Sequence, residues 1–328
     1  MSINNEPIRI GIVGYGNIGR GVEKAVVAAP DMRLSAVFTR RDPGSVRLAH
    51  SFVPVLLQSE AESKVGEIDV LILCGSSSND LMEQGPLFAS MFNIVDSYDT
   101  HAKIPEYLRA VDDAAKNTTA VISAGWDPGL FSIMRAISGA ALPDGASYTF
   151  WGSGVSQGHS TAVRSIEGVK YAVQYSVPVD SAVDAVRSGA RPQLAPGQLH
   201  KRICYVVAES GADTSAIENT IKTMPNYFAD YDTTVNFIDE SDFLANHTNM
   251  PHGGMVLHSG RTGDNEHMME FSLRLDSNPE FTGSVMVAYA RAAFRLARDK
   301  SFGAKTVFDI PLYYLSEKDR PTLIKELL

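Results

Sequence analysis

A glycine turn near the start of the chain constrains the fold more than any other feature. Residues 14–19 read Gly-Tyr-Gly-Asn-Ile-Gly and directly follow the apolar run Ile8–Val13. A helix is predicted from there to about Pro30, because apolar residues recur on one helical face: Ile18, Val22, Ala25, Val26 and Ala29. A strand, this turn and a helix are typical of a βαβ unit that binds a dinucleotide, since glycines let the backbone approach a pyrophosphate at the helix N-terminus. The alternative is a tight turn without a ligand.

The alternation of strands and helices continues through the first part of the chain. Leu34–Thr39 follows the first strand within about 30 residues, the length of a βαβ unit. The helix predicted over Ile104–Lys116 begins beside Pro105, a residue suited to a first helical turn. Near-continuous apolar runs, typical of parallel strands buried on both faces, are Ile68–Cys74, Met91–Asp96 and Ala120–Ser123. We therefore predict an α/β fold with a Rossmann-type, doubly wound parallel sheet in a dinucleotide-binding domain over residues 1–127.

From residue 128 the pattern changes and predicts a second domain that ends near residue 278. A helix over Leu130–Leu142 leads into strand-like segments without regular helices between them: Tyr148–Trp151, Lys170–Val177, Arg202–Ala208, Asp232–Ile238 and Met268–Leu275. This order favours an α+β domain with a mixed sheet. Glycine and proline in Ser188–Gly197 indicate a surface loop or lid. The apolar-faced helix Gly283–Arg298, within residues 279–328, is expected to pack back on the first domain.

Composition excludes several classes of protein. The 328 residues carry 29 Lys and Arg against 38 Asp and Glu, a net charge of −9, so we expect no binding of nucleic acid or of an anionic membrane surface. A membrane-spanning helix needs about 18 consecutive apolar residues, and every apolar run in this sequence is far shorter. The eight His and two Cys show neither metal-ligand spacing nor a disulfide framework. Met1–Glu6 lacks a secretory pattern, which favours a cytoplasmic protein.

The end of the second predicted strand indicates which dinucleotide is bound. A site for NAD has a carboxylate there for the ribose 2′-hydroxyl, whereas this strand ends in Thr39, Arg40 and Arg41. A hydroxyl and two guanidinium groups can hold a 2′-phosphate through charge-assisted hydrogen bonds, so NADP is the predicted cofactor. Two alternatives stay open: the arginines are a solvated basic pair, or the neighbouring Asp42 pairs with one of them.

Three loops follow the carboxyl ends of later strands, where ligands of parallel sheets bind. These loops are Gly75–Ser78, Ser97–Asp99 and Ala124–Pro128. Asp99 and Asp127 lie in them, and carboxylates in such a cleft favour an ammonium-bearing substrate because a buried anion requires a cation. Each Asp is alternatively the N-cap of the helix predicted after it.

Several further blocks of sequence are more specific than the glycine turn. They are Ser97–Asp99, Gly125–Gly129, Phe150–Gly152, Ser156–Ser160, His200–Arg202, Asn236–Asp239 and Met250–Gly254. Together with the glycine turn they closely resemble the meso-diaminopimelate D-dehydrogenase family over essentially the whole chain. The resemblance implies NADP-dependent, reversible oxidative deamination of the D-centre of meso-2,6-diaminopimelate to L-2-amino-6-oxopimelate and ammonia, in bacterial lysine synthesis. It also implies a homodimer, so that the second domain serves both substrate binding and dimerisation.

The resemblance also implies roles for individual residues. The pyrophosphate is expected at Tyr15, Gly16, Asn17 and Ile18, and the 2′-phosphate at Thr39, Arg40 and Arg41. The rest of the cofactor cleft is expected at Cys74, Gly75, Ser76, Ser77, Ser97, Tyr98, Asp99, Ala124, Gly125, Trp126, Asp127 and Pro128. The reacting D-centre is assigned to Asp99 and Asp127, as catalytic residues, with Trp151 and Gln157. The distal L-centre is assigned to Ser176, Arg202, His252 and Asn278.

The charges of the substrate agree with this division. Diaminopimelate has a carboxylate and an ammonium group at each end, so Arg202 suits a carboxylate and Asp99 and Asp127 suit the reacting amine. A fixed distance between the two ends sets which stereocentre reacts. Close relatives are expected to have threonine at position 176; serine keeps the hydroxyl and loses a methyl group.

Each substrate residue also has a structural alternative. Arg202, in a strand-like run, alternatively forms a cross-strand ion pair at the surface. Trp151 is alternatively plain core, and His252 alternatively caps a turn beside Pro251. Asn278 is alternatively a helix cap.

Overall fold

The computed structural model describes residues 6–328, so most of the segment used to judge a secretory signal lies outside the described residues. The strands are, in chain order, β1 (Ile8–Val13), β2 (Met32–Thr39), β3 (Val55–Leu57), β4 (Val70–Leu73), β5 (Asn93–Asp96), β6 (Thr119–Val121), β7 (Asp144–Trp151), β8 (Gly154–Val155), β9 (Val169–Pro178), β10 (His200–Ala208), β11 (Thr233–Phe237), β12 (His252–Thr262), β13 (Asn265–Leu275) and β14 (Gly303–Lys305).

The helices alternate with the strands in the first part of the chain and are interspersed among them later. They are α1 (Asn17–Ala28), α2 (Leu81–Ala89), α3 (Ile104–Ala114), α4 (Leu130–Ala141), α5 (Gln157–Arg164), α6 (Asp180–Arg187), α7 (Pro196–Leu199), α8 (Thr214–Thr223), α9 (Glu240–Asn246), α10 (Asn278–Arg298) and α11 (Arg320–Leu327). Contacts divide the chain into two compact units. The first unit runs to Ile133 and resumes over Pro279–Leu328, and the second unit is Met134–Asn278.

The first unit contains a parallel sheet that is buried on both faces. Within residues 6–328 this sheet has seven strands in the order β3-β2-β1-β4-β5-β6-β14, and every neighbouring pair is parallel. All four residues of β4 are buried, as the apolar run predicts. The order reverses direction between β1 and β4, and the carboxyl ends of strands at such a switch point bind ligands in open α/β sheets. The predicted Rossmann-type, doubly wound sheet is confirmed.

Helix α10 packs against α1 in the first unit. Its contact with α1 is close enough to require glycine on both helices: a Cβ at Gly21 would lie 2.6 Å from the carbonyl oxygen of Pro279, and one at Gly283 would lie 2.6 Å from the carbonyl carbon of Gly21. Farther along, the buried Arg291 donates two hydrogen bonds to Asp31, at 2.6 and 2.7 Å. Two charge-assisted bonds of this fork geometry fix the helix in both position and rotation.

The second unit contains two sheets. In the described residues, one has the order β11-β10-β9-β8 and is mixed, because β10 is parallel to β11 and antiparallel to β9. The other is antiparallel, with the order β13-β12-β7. The mixed sheet of the predicted α+β domain is confirmed. Of the loop predicted over Ser188–Gly197, residues 188–195 are irregular, while Pro196 and Gly197 begin α7.

The prediction that the second domain lacks regular helices between its strands is wrong. Helices α5 to α9 lie between them, and α8 illustrates the reason. Its N-cap Asp213 accepts a hydrogen bond from the amide of Ala216 at 3.0 Å, while Ile217 and Ile221 are buried one turn apart. A cap followed by an i, i+4 apolar pair is a helix signal, but these helices are too short for the stripe to repeat. The long strand β12 was not predicted, because its glycines interrupt the apolar alternation.

No helix within residues 6–328 is long and apolar enough to cross a membrane.

Candidate functional site

The glycine turn between β1 and α1 has the geometry of an anion cradle. Gly14 has φ +88°, a backbone conformation that favours glycine. A Cβ at Gly16 would meet nothing within 4 Å, so this residue leaves open space beside the backbone, whereas a Cβ at Gly19 would lie 2.2 Å from the oxygen of Gly14. Gly16 is also the N-cap of α1, without a side-chain cap, and no acidic residue occupies the first turn. The turn therefore fits a pyrophosphate at the helix N-terminus.

Tyr15 takes part in this turn through its main chain, because its hydroxyl is directed to Glu23 and away from the turn. Its buried side chain donates a hydrogen bond to Glu23 at 2.5 Å, and Glu23 also accepts from the amide of His50 at 2.9 Å. Burial and, secondly, the hydrogen bond to Glu23 raise the pKa of Tyr15 to about 12. The carbonyl oxygen of Tyr15 accepts from the guanidinium of Arg41 at 2.9 Å, which connects the turn to the end of β2.

The end of β2 carries the groups predicted for a 2′-phosphate. The hydroxyl of Thr39 accepts from the amide of Arg41 at 3.1 Å, and Arg40 forms an ion pair with Asp80 at 2.7 Å. Asp42 instead accepts from the amide of Gly44, and among the described residues it forms no ion pair with either arginine, so that alternative is wrong. An open depression of about 380 Å³ adjoins this segment and is lined by Thr39, Arg40, Leu57, Gln58, Ser59 and Leu87.

The loop after β4 is tied to its neighbours by side chains. Asp80, which holds Arg40, also accepts from the amide of Ser76 at 2.8 Å. The hydroxyl of Ser77 accepts from the amide of Asp99 at 3.1 Å, so this loop touches the loop after β5. Burial raises the pKa of the Cys74 thiol at the start of the loop, which therefore stays protonated and unreactive at neutral pH.

A single buried carboxylate joins the loops after β5 and β6. One oxygen of Asp96 accepts from the amides of Tyr98 at 2.9 Å and Ser123 at 3.0 Å, and the other accepts from the hydroxyl of Tyr107 at 2.7 Å. The carbonyl of Asp96 also accepts from the amide of Ala124 at 2.8 Å. Burial raises the pKa of Asp96, although its donors act in the opposite direction. Both loops predicted to line the cofactor cleft thus depend on this side chain for their shape.

Replacing Asp96 with alanine is expected to lower the free energy of unfolding by about 2–4 kcal/mol, because it leaves two buried N–H groups and one buried hydroxyl without acceptors. Asp96→Asn keeps a carbonyl oxygen for both amides and is expected to lose less. Urea titration followed by intrinsic fluorescence measures both. The control Asp113→Ala, at a side chain 85% exposed on α3, is expected to change stability by less than about 0.5 kcal/mol. Equal losses in the alanine and asparagine variants would contradict the role given to the single oxygen that accepts from both amides.

The two predicted catalytic carboxylates are not at helix N-caps. Asp99 is exposed, and Thr100 is the N-cap of the short helical turn that follows it. Asp127 is partly buried and lies three residues before the first residue of α4, so the N-cap position falls on Gly129. The two capping alternatives are therefore not supported.

Tyr98 and Trp126, predicted beside the cofactor, are turned into the first unit. The buried ring of Tyr98 stacks on Tyr107 with centroids 4.3 Å apart. Trp126 is 7% exposed and meets Phe131 edge to face at 5.2 Å. Each of these residues therefore presents its main chain, and not its ring, to the predicted cofactor cleft.

In the second unit, Arg202 and Ser176 lie side by side on paired strands. Their register on β10 and β9 is direct, and a guanidinium N–H of Arg202 donates to the Ser176 hydroxyl. Arg202 is 8% exposed, and its guanidinium lies over the ring of Tyr231 at 4.0 Å. Among the described residues it has no carboxylate partner, and its Nε has no hydrogen-bond partner. The alternative of a surface ion pair is therefore wrong.

Trp151 ends β7 and is 38% exposed, so it is not plain core. Its indole stacks on His200 with centroids 5.2 Å apart, and its amide donates to Nε2 of that histidine at 2.7 Å. Gln157 begins α5, and its side-chain amide lies 3.5 Å from the sulfur of Met250.

The remaining two predicted substrate residues adjoin the start of β12. The amide of Asn278 donates to the carbonyl oxygen of Met250 at 2.9 Å. His252 begins β12 and accepts at Nδ1 from the amide of Gly253 at 2.8 Å, and burial lowers its pKa. Its ring is therefore neutral at pH 7 and acts as a hydrogen-bonding group rather than as a cation.

Sequence reasoning did not identify several residues that shape these two regions. They are Glu23, Asp80, Asp96, His200 and Tyr231. Only His200 had a sequence signal, since it stands in the block His200–Arg202 that carries the family resemblance. The others act through side-chain contacts with residues that are not adjacent in the sequence. No group of three or more His, Cys, Asp or Glu side chains in the part of the chain that the structure describes is arranged to hold a metal ion.

Comparisons with known proteins agree along the whole chain. Residues 125–277 match the family model of the diaminopimelic acid dehydrogenase C-terminal domain. The meso-diaminopimelate D-dehydrogenase of Lysinibacillus sphaericus is 59% identical over 324 residues, covering 98% of this chain and 99% of that protein. A structure of C. glutamicum DAP dehydrogenase in complex with DAP is 44% identical, covers 99% of this chain and 100% of its own, and has a TM-score of 0.91.

A second solved structure, an engineered D-amino acid dehydrogenase bound to NADP+, is 43% identical with a TM-score of 0.87, and the match covers 98% of this chain and 100% of that one. Similarity of this degree over nearly the full length is far above what a shared fold alone produces, so the chain belongs to the meso-diaminopimelate D-dehydrogenase family.

Proposed function

We propose that this chain catalyses the NADP-dependent, reversible oxidative deamination of the D-centre of meso-2,6-diaminopimelate. The products are L-2-amino-6-oxopimelate and ammonia, and the reaction belongs to lysine biosynthesis. Family membership supports this assignment, as does the DAP bound in the C. glutamicum relative. The first unit is assigned the cofactor, and the second unit is assigned the distal end of the substrate.

The observation that carries the substrate assignment is the buried guanidinium of Arg202. Burial of a cation without an anion is costly, and burial lowers the pKa of Arg202 although Tyr231 acts in the opposite direction. A guanidinium fork beside a serine hydroxyl is shaped for a carboxylate. The distal carboxylate of diaminopimelate supplies the missing charge, with Ser176 as its second donor and with His252 and Asn278 as further contacts of the L-centre.

The first unit fits NADP on its own geometry. The open space at Gly16 and the uncapped start of α1 suit the pyrophosphate. Thr39, Arg40 and Arg41 suit the 2′-phosphate, and Asp42 accepts from the amide of Gly44 instead of pairing with either arginine. Arg40 would exchange its ion pair with Asp80 for the phosphate. The engineered relative bound to NADP+ supports the same assignment.

When bound, NADP accepts the hydride from the D-centre carbon. The chain must hold the substrate so that this carbon faces the cofactor, and it must take a proton from the ammonium group before the hydride leaves. Asp99 and Asp127 hold the ammonium by charge and accept that proton directly or through a water molecule. Loss of hydride from the neutral amine gives an iminium ion, water adds to its carbon with release of a proton, and ammonia then leaves. Trp151 and Gln157 border the reacting centre and limit the access of bulk water.

Replacing Asp99 or Asp127 with asparagine is expected to lower kcat/KM for meso-diaminopimelate by about tenfold or more, since the amide keeps the size but neither attracts the ammonium nor accepts its proton. Initial rates of NADPH formation measure this effect. KM for NADP is expected to change less than kcat/KM. A loss of less than tenfold in both variants would rule out the carboxylate role.

The assignment itself is tested by mixing the purified protein with NADP and meso-diaminopimelate and following the absorbance of the reduced nicotinamide. Turnover with the meso isomer, together with complementation of a lysine-pathway mutant, is the expected result. Absence of turnover with this compound and turnover with a different amino acid would move the assignment to another amino-acid dehydrogenase.

Two further proposals accompany the assignment. The enzyme is a homodimer that associates through the second unit, as the resemblance implies, and analytical ultracentrifugation tests this. It works in the cytoplasm, which agrees with both cysteines being present as free thiols.

A further inference from the structure

His200 occupies a place that neither the family resemblance nor the charges of the substrate explain. It is 2% exposed at the first position of β10, and Arg202 follows two residues later on the same face of that strand. Its ring stacks on Trp151 at an interplanar angle of 20°, and it lies 6.2 Å from the ring of Phe150. A buried polar ring therefore lies between the two side chains assigned to opposite ends of the substrate.

The contact with Trp151 involves the main chain as well as the ring. The amide of Trp151 donates to Nε2 of His200 at 2.7 Å, a strong geometry for a neutral acceptor. Trp151 is the last residue of β7, and β7 is an edge strand of the antiparallel sheet. Alternate amides of an edge strand point away from their own sheet, and that of Trp151 donates to His200, so His200 fixes the end of this strand against the first residue of β10 in the mixed sheet.

The protonation state agrees with this geometry. An imidazole accepts at Nε2 only when the proton of its neutral form is on Nδ1. Burial, and then the charge of Arg202 and the neighbouring His252, lower the pKa of His200 to about 4. At neutral pH the ring therefore keeps the lone pair that the amide of Trp151 requires. The positive charge of Arg202, which binds the distal carboxylate, thus also helps to keep His200 neutral and able to accept from Trp151.

We propose that His200 is a positioning residue, which sets the distance between Trp151 at the reacting centre and Arg202 at the distal grip. The inference rests on the proposed function. A substrate held at both ends presents its carbon correctly only if the two ends of the site keep their spacing, and displacement of a reacting group by about 1 Å can cost up to a hundredfold in rate. His200 is the residue that contacts Trp151 and shares a strand with Arg202, so it fixes this spacing without touching the reacting atoms.

The test uses a pair of variants with the same functional group. The amide oxygen of His200→Gln can reach the position of Nε2, whereas that of His200→Asn is one methylene short. His200→Asn is expected to lower kcat for meso-diaminopimelate about tenfold, and His200→Gln to stay within about threefold of the unchanged chain. KM for NADP is expected to stay within about twofold in both, because a positioning role acts on the substrate end alone.

The control is His267→Asn, at an exposed histidine of the same unit whose Nε2 contacts the hydroxyl of Thr262, and it is expected to leave all constants unchanged. Melting curves accompany every variant. If His200→Asn fails to fold, His200→Phe, which keeps a flat ring and removes the acceptor, takes its place with the same expected loss in kcat.

The failure of this proposal differs from the failure of the proposed function. Absence of turnover by the unchanged chain with meso-diaminopimelate refutes the function. Normal turnover there, with equal kcat in the asparagine and glutamine variants, refutes the positioning role alone. Parallel losses of kcat and of NADP affinity, with a lowered melting temperature, also refute it, since they indicate a purely structural residue.

Discussion

Replacing Arg202 with methionine is expected to raise KM for meso-diaminopimelate about 30- to 900-fold, which corresponds to about 2–4 kcal/mol. Methionine has a similar length and packs against Tyr231, so the fold is expected to survive. The loss arises because the distal carboxylate would enter a buried site where the Ser176 hydroxyl alone remains to meet it. Steady-state kinetics at saturating NADP measure this effect.

The change at Arg202 is expected mainly in KM, since the distal grip binds the ground state and the transition state alike. KM for NADP is expected to be unchanged. Arg187 supplies the matched control: it is an arginine of the same unit, exposed on α6 and paired with Glu270 at 2.7 Å, and Arg187→Met is expected to leave KM unchanged. An equal rise of KM in the two variants, or none in Arg202→Met, would contradict a distal carboxylate site.

The double replacement of Arg40 and Arg41 by alanine is expected to raise the Kd of NADP about a hundredfold and to leave the Kd of NAD within about threefold. The two guanidinium groups would contact the 2′-phosphate, which NAD lacks. The hydroxyl of Thr39 remains in the double variant and keeps part of the affinity. Titration calorimetry with both dinucleotides gives the two constants directly.

Arg47 offers the control for this pair. It is an exposed arginine nearby that donates to the carbonyl of Gly44, and Arg47→Ala is expected to bind both dinucleotides normally. A fall in affinity of similar size for NAD and NADP in the double variant would show that the arginines act through general charge or fold stability. The 2′-phosphate site would then lie elsewhere.

The sequence predicts the first unit well because its signals are local. The glycine turn, the one-faced helix after it and the buried apolar runs each lie within a few consecutive residues, and the structure has an element at each position. Gly19 illustrates this: its spacing from Gly14 is visible in the sequence, and in the structure a side chain there would overlap the Gly14 carbonyl. Element ends differ from the prediction by a few residues, as expected where helices and strands fray.

The second unit is harder to predict because its signals are short and interrupted. Helices such as α5 and α9 show too few turns for a periodic stripe, and β12 contains Gly253 and Gly254 with positive φ. The burial of Arg202 is another case. Nothing within a strand-like run distinguishes a surface arginine from one covered by an aromatic ring, since the ring belongs to a residue about 30 positions away in the chain.

The site residues divide in the same way. Thr39, Arg40 and Arg41 could be predicted because the residues that end the second strand of this fold contact the ribose of the dinucleotide, and these three are consecutive in the sequence. Asp96 and His200 hold pairs of distant segments together. Asp96 lies in no motif, and the block His200–Arg202 gives no sign that His200 contacts Trp151. Residues of this kind are found only when the partners of each buried polar group are identified in three dimensions.

The first unit takes its sheet from both ends of the chain, and this has a consequence for protein synthesis. Among the strands of residues 6–328, β14 leaves the ribosome last. Until Gly303–Lys305 pair with β6, that side of β6 is an uncovered edge open to pairing with other chains. The second unit, finished by Asn278, is available to fold earlier. A nascent chain would therefore complete its second unit before its first unit. A chaperone that shields β6 during that interval would favour correct assembly.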